Sequence, residues 1–184
     1  TLDAGLDLKG TFPNGVVALA TYNPDFRHIE DIVETIDFTF VERHLPDYRP
    51  FFQEGQWYFP PTTSLPSNLF YSRRIGEVDL GVKAFGTLGQ HEFGLLDIYG
   101  RGGENHFAGN YAYAFGTTGS VRVSAVDRQV PGEPHNLAYG LGTDWYRDFE
   151  GGYRFLNASY ERSQTEGEGG DGSNVNLWGG MSRR

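Results

Sequence analysis

The chain reads as an all-β protein, an antiparallel up-and-down β-barrel or part of one, with about nine or ten strands and a proline-rich inner loop or plug at about 43–75. Three observations carry that expectation. Apolar and polar residues alternate at period two along most of the sequence, where a helix would repeat at 3.6. Glycine and aromatic residues are both abundant, with 26 Gly, 3 Trp, 11 Tyr and 14 Phe among 184 residues. The hydrophobic share is only 38%, and no run approaches the roughly 20 apolar residues that a membrane-spanning helix needs.

In Gly5 to Phe12, Leu6, Leu8 and Phe12 share one face while Asp7, Lys9 and Thr11 share the other. Pro13-Asn14-Gly15 follows as a tight turn, because Asn-Gly supplies the positive φ angles of a hairpin, and 16–22 returns as its second strand. Asn23-Pro24-Asp25-Phe26 closes that strand with turn chemistry. A third strand is expected at 34–42, where Ile36, Phe38 and Phe40 alternate with Thr35, Asp37 and Thr39. Prolines 46, 50, 60, 61 and 66 then break the alternation, which marks a structured loop or plug.

The longest stripe is 76–88, with Val78, Leu80, Val82, Ala84 and Leu88 on one face and Asp79, Gly81, Lys83, Phe85 and Thr87 on the other. Its length exceeds the usual five or six residues and suits a tilted barrel strand. Further strands are expected at 92–99, 107–116, 120–129, 136–146, 153–163 and 175–181. The segment 107–115 sets Phe107, Tyr111, Tyr113 and Phe115 against small or polar residues. That pattern fits a lipid-facing strand with interfacial aromatics, and equally a soluble barrel or sandwich with its aromatic side packed inward. Glu166, Glu168 and Asp171 among glycines make 164–173 an acidic loop.

The chemistry-bearing residues exclude more than they select. Zero cysteines rule out a disulfide scaffold and a thiolate metal site. His28, His44, His91, His106 and His135 fall in no metal-ligand spacing, so no metal and no cofactor is expected. A net charge of −9 argues against nucleic acid as a partner. No nucleophile elbow or phosphate loop occurs, so no catalytic residue is assigned. A carboxylate pair for glycoside hydrolysis stays open, because its requirement is a separation in space.

Two charged stretches remain, Tyr48-Arg49-Pro50-Phe51-Phe52-Gln53-Glu54-Gly55 and Leu69-Phe70-Tyr71-Ser72-Arg73-Arg74-Ile75-Gly76. Guanidinium forks bind carboxylates bidentately, so Arg49, Arg73 and Arg74 are expected to pair with Asp25, Glu30, Glu34 or Glu54. Such a network either pins the plug or holds an anionic ligand. Trp57, Tyr58 and Trp145 are the candidates for stacking on a sugar ring, and Trp145, Tyr139 and Phe85 for lining a cavity in a soluble barrel.

The blocks Gly5-Leu6-Asp7-Leu8-Lys9, Asn23-Pro24-Asp25-Phe26 with Glu30, Arg49-Pro50-Phe51-Phe52-Gln53-Glu54-Gly55 and Phe70-Tyr71-Ser72-Arg73-Arg74-Ile75-Gly76 resemble, in order and spacing, a family of bacterial proteins of unknown function. In that family a carbohydrate-binding family 9-like module precedes a long region taken to be an outer-membrane β-barrel. The match covers residues 5–76. It implies an outer-membrane location, the lipid bilayer as partner, and a loose link to glycans. Gln53 departs from an expected aliphatic residue, and the family's barrel is longer than this chain. The expectation is therefore one barrel-type domain over 1–184, a piece of a longer chain that other segments or subunits complete, acting as a pore or surface scaffold in polysaccharide use. The alternatives are a soluble β-barrel or sandwich that binds a carbohydrate or a small aromatic or apolar ligand, periplasmic or secreted, and a carboxylate-dependent glycoside hydrolase.

Overall fold

The computed structural model describes residues 4–24, 47–59, 72, 75–167 and 171–183. Strands β1 (Leu6–Thr11) and β2 (Val17–Tyr22) form the expected hairpin. Phe12 N–H donates to the Val16 carbonyl at 2.8 Å and Gly15 N–H to the Phe12 carbonyl at 2.9 Å. Gly15 takes φ +85° there, a region open to glycine because it has no Cβ. After a helical turn α1 (Pro50–Gln53) and a 3-10 turn (Gln56–Tyr58) come β3 (Val78–Leu88), β4 (His91–Gly100), β5 (Glu104–Ala114), β6 (Gly119–Gln129), β7 (Asn136–Phe149), β8 (Gly152–Thr165) and β9 (Gly172–Arg183).

All nine strands pair antiparallel in chain order, β1 through β9, in one sheet. Among the described residues the sheet is not closed, since β1 and β9 each have a single neighbour. The strand expected at 34–42 lies outside the described residues.

One register runs through the meander. Phe93, Tyr111, Val123, Leu141, Tyr160 and Val175 are successive partners from β4 to β9. The adjacent rung reads Gly94, Asn110, Ser124, Gly140, Glu161 and Asn174. Successive side chains point to opposite faces, so one face is apolar and aromatic while the other is polar or bare backbone. Helix α1 packs on the polar one, here termed the inner face. Phe51 and Phe52 join Leu96, Ile98 and Ala108 there in a small core.

Val78 departs from the sequence expectation. The stripe at 76–88 places it beside Leu80 and Val82, yet it is buried in the inner core while both of those are exposed. The cause is a register shift: Val78 pairs with Gly100 and Leu80 with Tyr99, leaving Asp79 as an extra residue. A β-bulge of this kind flips everything before it to the other face. The Asp79 carbonyl is then used by Asn23 N–H at 2.8 Å, tying the end of β2 to the bulge.

The connections differ between the two ends of the sheet. At one end the strands join through 12–16, 89–90, 115–118 and 150–151. At the other they join through 23–77, 101–103, 130–135 and 166–171. The first is called below the short-turn end, the second the long-connection end.

Ile98, with 0% exposure, tests the assignment of faces. Ile98→Ala is expected to cost about 2–5 kcal/mol in denaturant unfolding. Leu95→Ala, on the opposite face, should cost less than half as much.

Candidate functional site: a plugged polar face

The plug begins where proline fixes the first helical turn. Pro50 stands at the start of α1, a position whose N–H would be unpaired in any case. Arg49, 4% exposed, turns its guanidinium back from that helix. Its Nε donates to Asp47 Oδ1 at 3.0 Å and Nη2 to Asp47 Oδ2 at 2.8 Å. Nη1 donates to the Ile75 carbonyl at 2.8 Å and Nη2 also to the Ser72 carbonyl at 2.7 Å. The guanidinium lies 4.1 Å from the centre of the Phe52 ring. Ser72 Oγ completes the knot by donating to Asp47 Oδ2 at 2.6 Å. Burial pushes the Asp47 carboxyl up, but the hydrogen bonds from Arg49 and Ser72 and the adjacent positive charge outweigh it and hold the group below its ordinary value of 3.8.

The second anchor comes from the wall. Lys83 on β3 points inward, is 4% exposed, and donates its ammonium protons to the Phe51 carbonyl at 3.0 Å, the Phe52 carbonyl at 3.2 Å and the Glu54 carbonyl. The carbonyls at the end of a helix lack intrahelical partners and carry partial negative charge, so a buried cation satisfies them. The Phe59 ring sits 5.1 Å from the same ammonium and the Phe85 ring 5.7 Å. Glu54 sends its carboxylate to Lys9 of β1. The plug is thus held by β1 and β3 together.

Its tip lies directly on bare backbone. A Cβ on Gly94 would stand 2.6 Å from the Tyr58 carbonyl oxygen, closer than real Cβ contacts come. Asn110 Nδ2 donates to that carbonyl at 3.1 Å, and Tyr58 stacks on Phe85 with centroids 5.1 Å apart. Gly55, at φ +65°, makes the turn between α1 and the 3-10 turn.

Of the six residues expected to form an ion-pair network, Arg49 and Glu54 lie within the described part; Asp25, Glu30, Arg73 and Arg74, like Glu34, lie outside it. Within the described part Arg49 pairs with Asp47, two residues back, and Glu54 with Lys9. Of the aromatics proposed for stacking, Trp57 is 79% exposed, Tyr58 gives one face to Phe85, and Trp145 is half-buried at the short-turn end. The three proposed as a cavity lining do not meet. Phe85 lies under the plug on the inner face, whereas Tyr139 and Trp145 stand on the register of the outer face.

Two residues that carry the site were not among the candidates. Lys83 was legible as a lone lysine opposite an apolar stripe in the longest strand. Asp47 had no signal beyond its nearness to Arg49. Beyond the plug tip, Asn110 Oδ1, Ser124 Oγ and Arg122 Nε are buried without a hydrogen-bond partner. All three sit on the inner face of β5 and β6. Among the described residues, no three His, Asp or Glu side chains converge in a way that would hold a metal ion. Compared with protein-family models, curated proteins and solved structures, the chain finds no match.

Removing either anchor should free the plug and leave the sheet intact. Lys83→Met is expected to raise the rate of proteolytic cleavage within 47–59 about tenfold or more, since buried carbonyls lose a charged donor, with an unchanged strand signal in circular dichroism. The Asp47 knot adds a pH dependence. A carboxyl with a depressed folded value stabilises docking above its unfolded value and loses that contribution as pH falls through the folded one. Pepsin should therefore cut 47–59 faster as pH drops below about 3.8. Asp47→Asn should cleave readily throughout, with that step in the profile absent.

Proposed function

We propose that this chain forms the wall of an outer-membrane β-barrel whose lumen carries its own plug, serving as a pore or surface scaffold. The single observation that supports this is the inversion of polarity between neighbouring rungs. A sheet in water buries its apolar face and wets its polar one. Here Leu8, Val82, Leu95, Val123, Leu141 and Leu177 share the exposed outer register, each 45% or more accessible. Asn110, Ser124, Ser159 and Glu161 are buried on the inner one. A bilayer asks for that arrangement, apolar outward and polar inward.

Supporting details run the same way. Strands β3 to β9 have 10 to 14 residues, enough to cross tilted hydrocarbon. Charges on the outer register, Asp97, Asp127, Arg147, Arg154 and Arg162, fall close to strand ends. Tyr22 and Tyr99 mark one end of the belt, and Tyr111, Tyr113 and Trp145 the other, where interfacial aromatics sit. Short turns face the periplasm in outer-membrane barrels and longer loops face outward, so 89–90 and 150–151 would lie on the periplasmic side. The resemblance of residues 5–76 to a barrel-bearing family agrees with this placement.

The edges set a condition on partners. Unpaired strand edges cannot stand in hydrocarbon. Since β1 and β9 both run from the long-connection end to the short-turn end, antiparallel closure takes an odd number of further strands, from other segments or subunits.

Charge placed in the belt discriminates between bilayer and water. Leu141→Arg and Val123→Arg are each expected to lower stability in lipid vesicles by about 2–4 kcal/mol, whereas on a water-facing sheet the change would be near zero. Refolded protein should float with vesicles and gain strand signal there. A monomer soluble without detergent, indifferent to both arginines, would sink the membrane placement.

A further inference from the structure

The outer face is not symmetric about its apolar belt. On the outer register of the described strands, the acidic and basic side chains are Asp97, Asp127 and Arg162 toward the long-connection end and Arg147, Arg154 and Arg183 toward the short-turn end. The first set is mixed in sign and satisfied by its neighbours. Asn105 donates to Asp97 at 2.9 Å, Gln129 and His135 bond Asp127, and Arg162 faces Asp171 at 3.6 Å. The second set is wholly positive.

Arg147 and Arg154 are direct partners across β7 and β8, and Arg183 stands on the next outer rung, opposite Gly152. Directly opposed side chains have Cβ atoms about 5 Å apart, and like charges at that spacing repel. Among the described residues none of the three has a carboxylate in ion-pair range, whereas Arg49, Arg101, Arg122, Arg128 and Arg162 each do. The acids nearest in sequence do not answer them. Asp148 is on the inner register, where the Tyr146 hydroxyl donates to it at 3.2 Å, and Glu150 lies in the exposed 150–151 turn. Arg154 rests over the Phe149 ring, 5.2 Å from its centre, a contact that occupies the flat face of the guanidinium and leaves its N–H edges for another acceptor.

Position decides what such a cluster meets. Strand β6 begins at Gly119, opposite Trp145, so 147–154 projects past the 115–118 turn. The arginines stand one or two outer rungs beyond Trp145 and Leu156, at about 7 Å per rung. Leu156 and Met181 are exposed beside them. On the inner side of the same end Phe155 and Trp178 meet at 4.8 Å between ring centroids. Unpaired cations therefore border an exposed apolar belt on one face and one end only.

Resting on the barrel reading above, we propose that Arg147, Arg154 and Arg183 form a binding surface for the phosphates of anionic phospholipids at the short-turn rim. A guanidinium fork takes two oxygens of one phosphate, and a phosphate between Arg147 and Arg154 relieves their repulsion. Their aliphatic stems lie level with Leu156 and Met181, where acyl chains would begin. The net charge of the chain favours a lipid over a free anion. At −9, most of the surface repels a polyanion in solution, whereas a headgroup held at the rim meets this end alone.

Flotation of the refolded chain with vesicles tests this, comparing phosphatidylcholine alone with phosphatidylcholine mixed with phosphatidylglycerol of the same chain length. Partitioning into the mixed vesicles is expected to be roughly tenfold or more stronger at low salt, and the advantage should shrink as salt is added. Replacing all three, Arg147→Gln with Arg154→Gln and Arg183→Gln, should abolish that advantage and leave partitioning into phosphatidylcholine unchanged. Arg154→Gln alone should lose part of it and Arg154→Lys should keep most. Arg162→Gln, on the same face at the opposite end, should keep it all. Equal partitioning into both vesicles, an advantage that survives the triple replacement, or one lost equally in Arg162→Gln would overturn the proposal. So would saturable, arginine-dependent binding of inorganic phosphate in neutral detergent, since the surface would then take a free anion. Leu141→Arg separates the two readings. Protein that inserts into phosphatidylcholine, is destabilised there by Leu141→Arg and ignores phosphatidylglycerol defeats the headgroup surface alone. Protein that binds only the mixed vesicles through the three arginines, and is indifferent to Leu141→Arg, upholds the surface and defeats the membrane-spanning placement.

Discussion

A single hydrogen-bond register, carried antiparallel through nine strands, governs nearly everything else in this molecule. Strand side chains alternate between faces with a period of two, so a slip of one residue in any pair would reverse polarity for all strands beyond it. No slip occurs between β4 and β9, where each strand meets the next residue by residue. The Phe93 rung therefore stays apolar to its last member, and the Gly94 rung stays polar or bare. The one irregularity in β3 sits at its start, at Asp79, ahead of the stretch that faces the plug. There it turns Val78 into the core and lets Leu80 and Val82 rejoin the outer face.

The plug is built to suit an inner wall with few large apolar side chains. Burying a short helical turn against such a wall gains little from apolar area, so the attachment is polar and charge-assisted. Lys83 reaches from the wall to the end of α1, and Arg49 gathers Asp47, Ser72 and Ile75 at its start. Both cations are nearly inaccessible, and each is satisfied by several oxygens. That matters, since an unpaired buried charge would be far costlier than an absent one. Glycine does complementary work on the wall. At Gly94 the absent side chain lets the Tyr58 carbonyl come within reach of Asn110.

The two ends of the sheet divide the labour in a way the faces do not. Tight turns at one end keep neighbouring strands in step and leave no room for extra structure. Long connections at the other end carry the plug and most of the rim ion pairs, such as Arg101 with Glu77 at 2.8 Å and Arg128 with Glu133 at 2.7 Å. His135, beside Asp127 on that rim, is held protonated more readily than a free histidine, chiefly by the hydrogen bond to that carboxylate. The aromatic cluster around Phe155 and Trp178 lies toward the opposite end.

Strand identity, the first hairpin and the alternation of faces were legible in the sequence, because they depend on nearest neighbours along one chain. Asn14-Gly15 specifies its turn locally, and the stripe of Leu80, Val82 and Ala84 specifies a face whatever lies beside it. The proline-rich stretch likewise announced a plug, since proline cannot join a central ladder. Sequence could not say which face would be covered, because aromatic and small residues alternate identically in a barrel that faces lipid and in one that packs inward. The ion-pair partners were equally hidden. Arg49 has many carboxylates within chain reach, and only the fold brings the carbonyls of Ser72, Ile75 and Gly76 to the guanidinium that Asp47 already holds. The position of Val78 turned on a bulge that no residue type demands. Lys83 was visible as a polar residue but not as an anchor, for its three carbonyl partners come from a segment some thirty residues away. What a strand is depends on its own alternation, whereas what it touches depends on long-range register, and only the tertiary structure sets that.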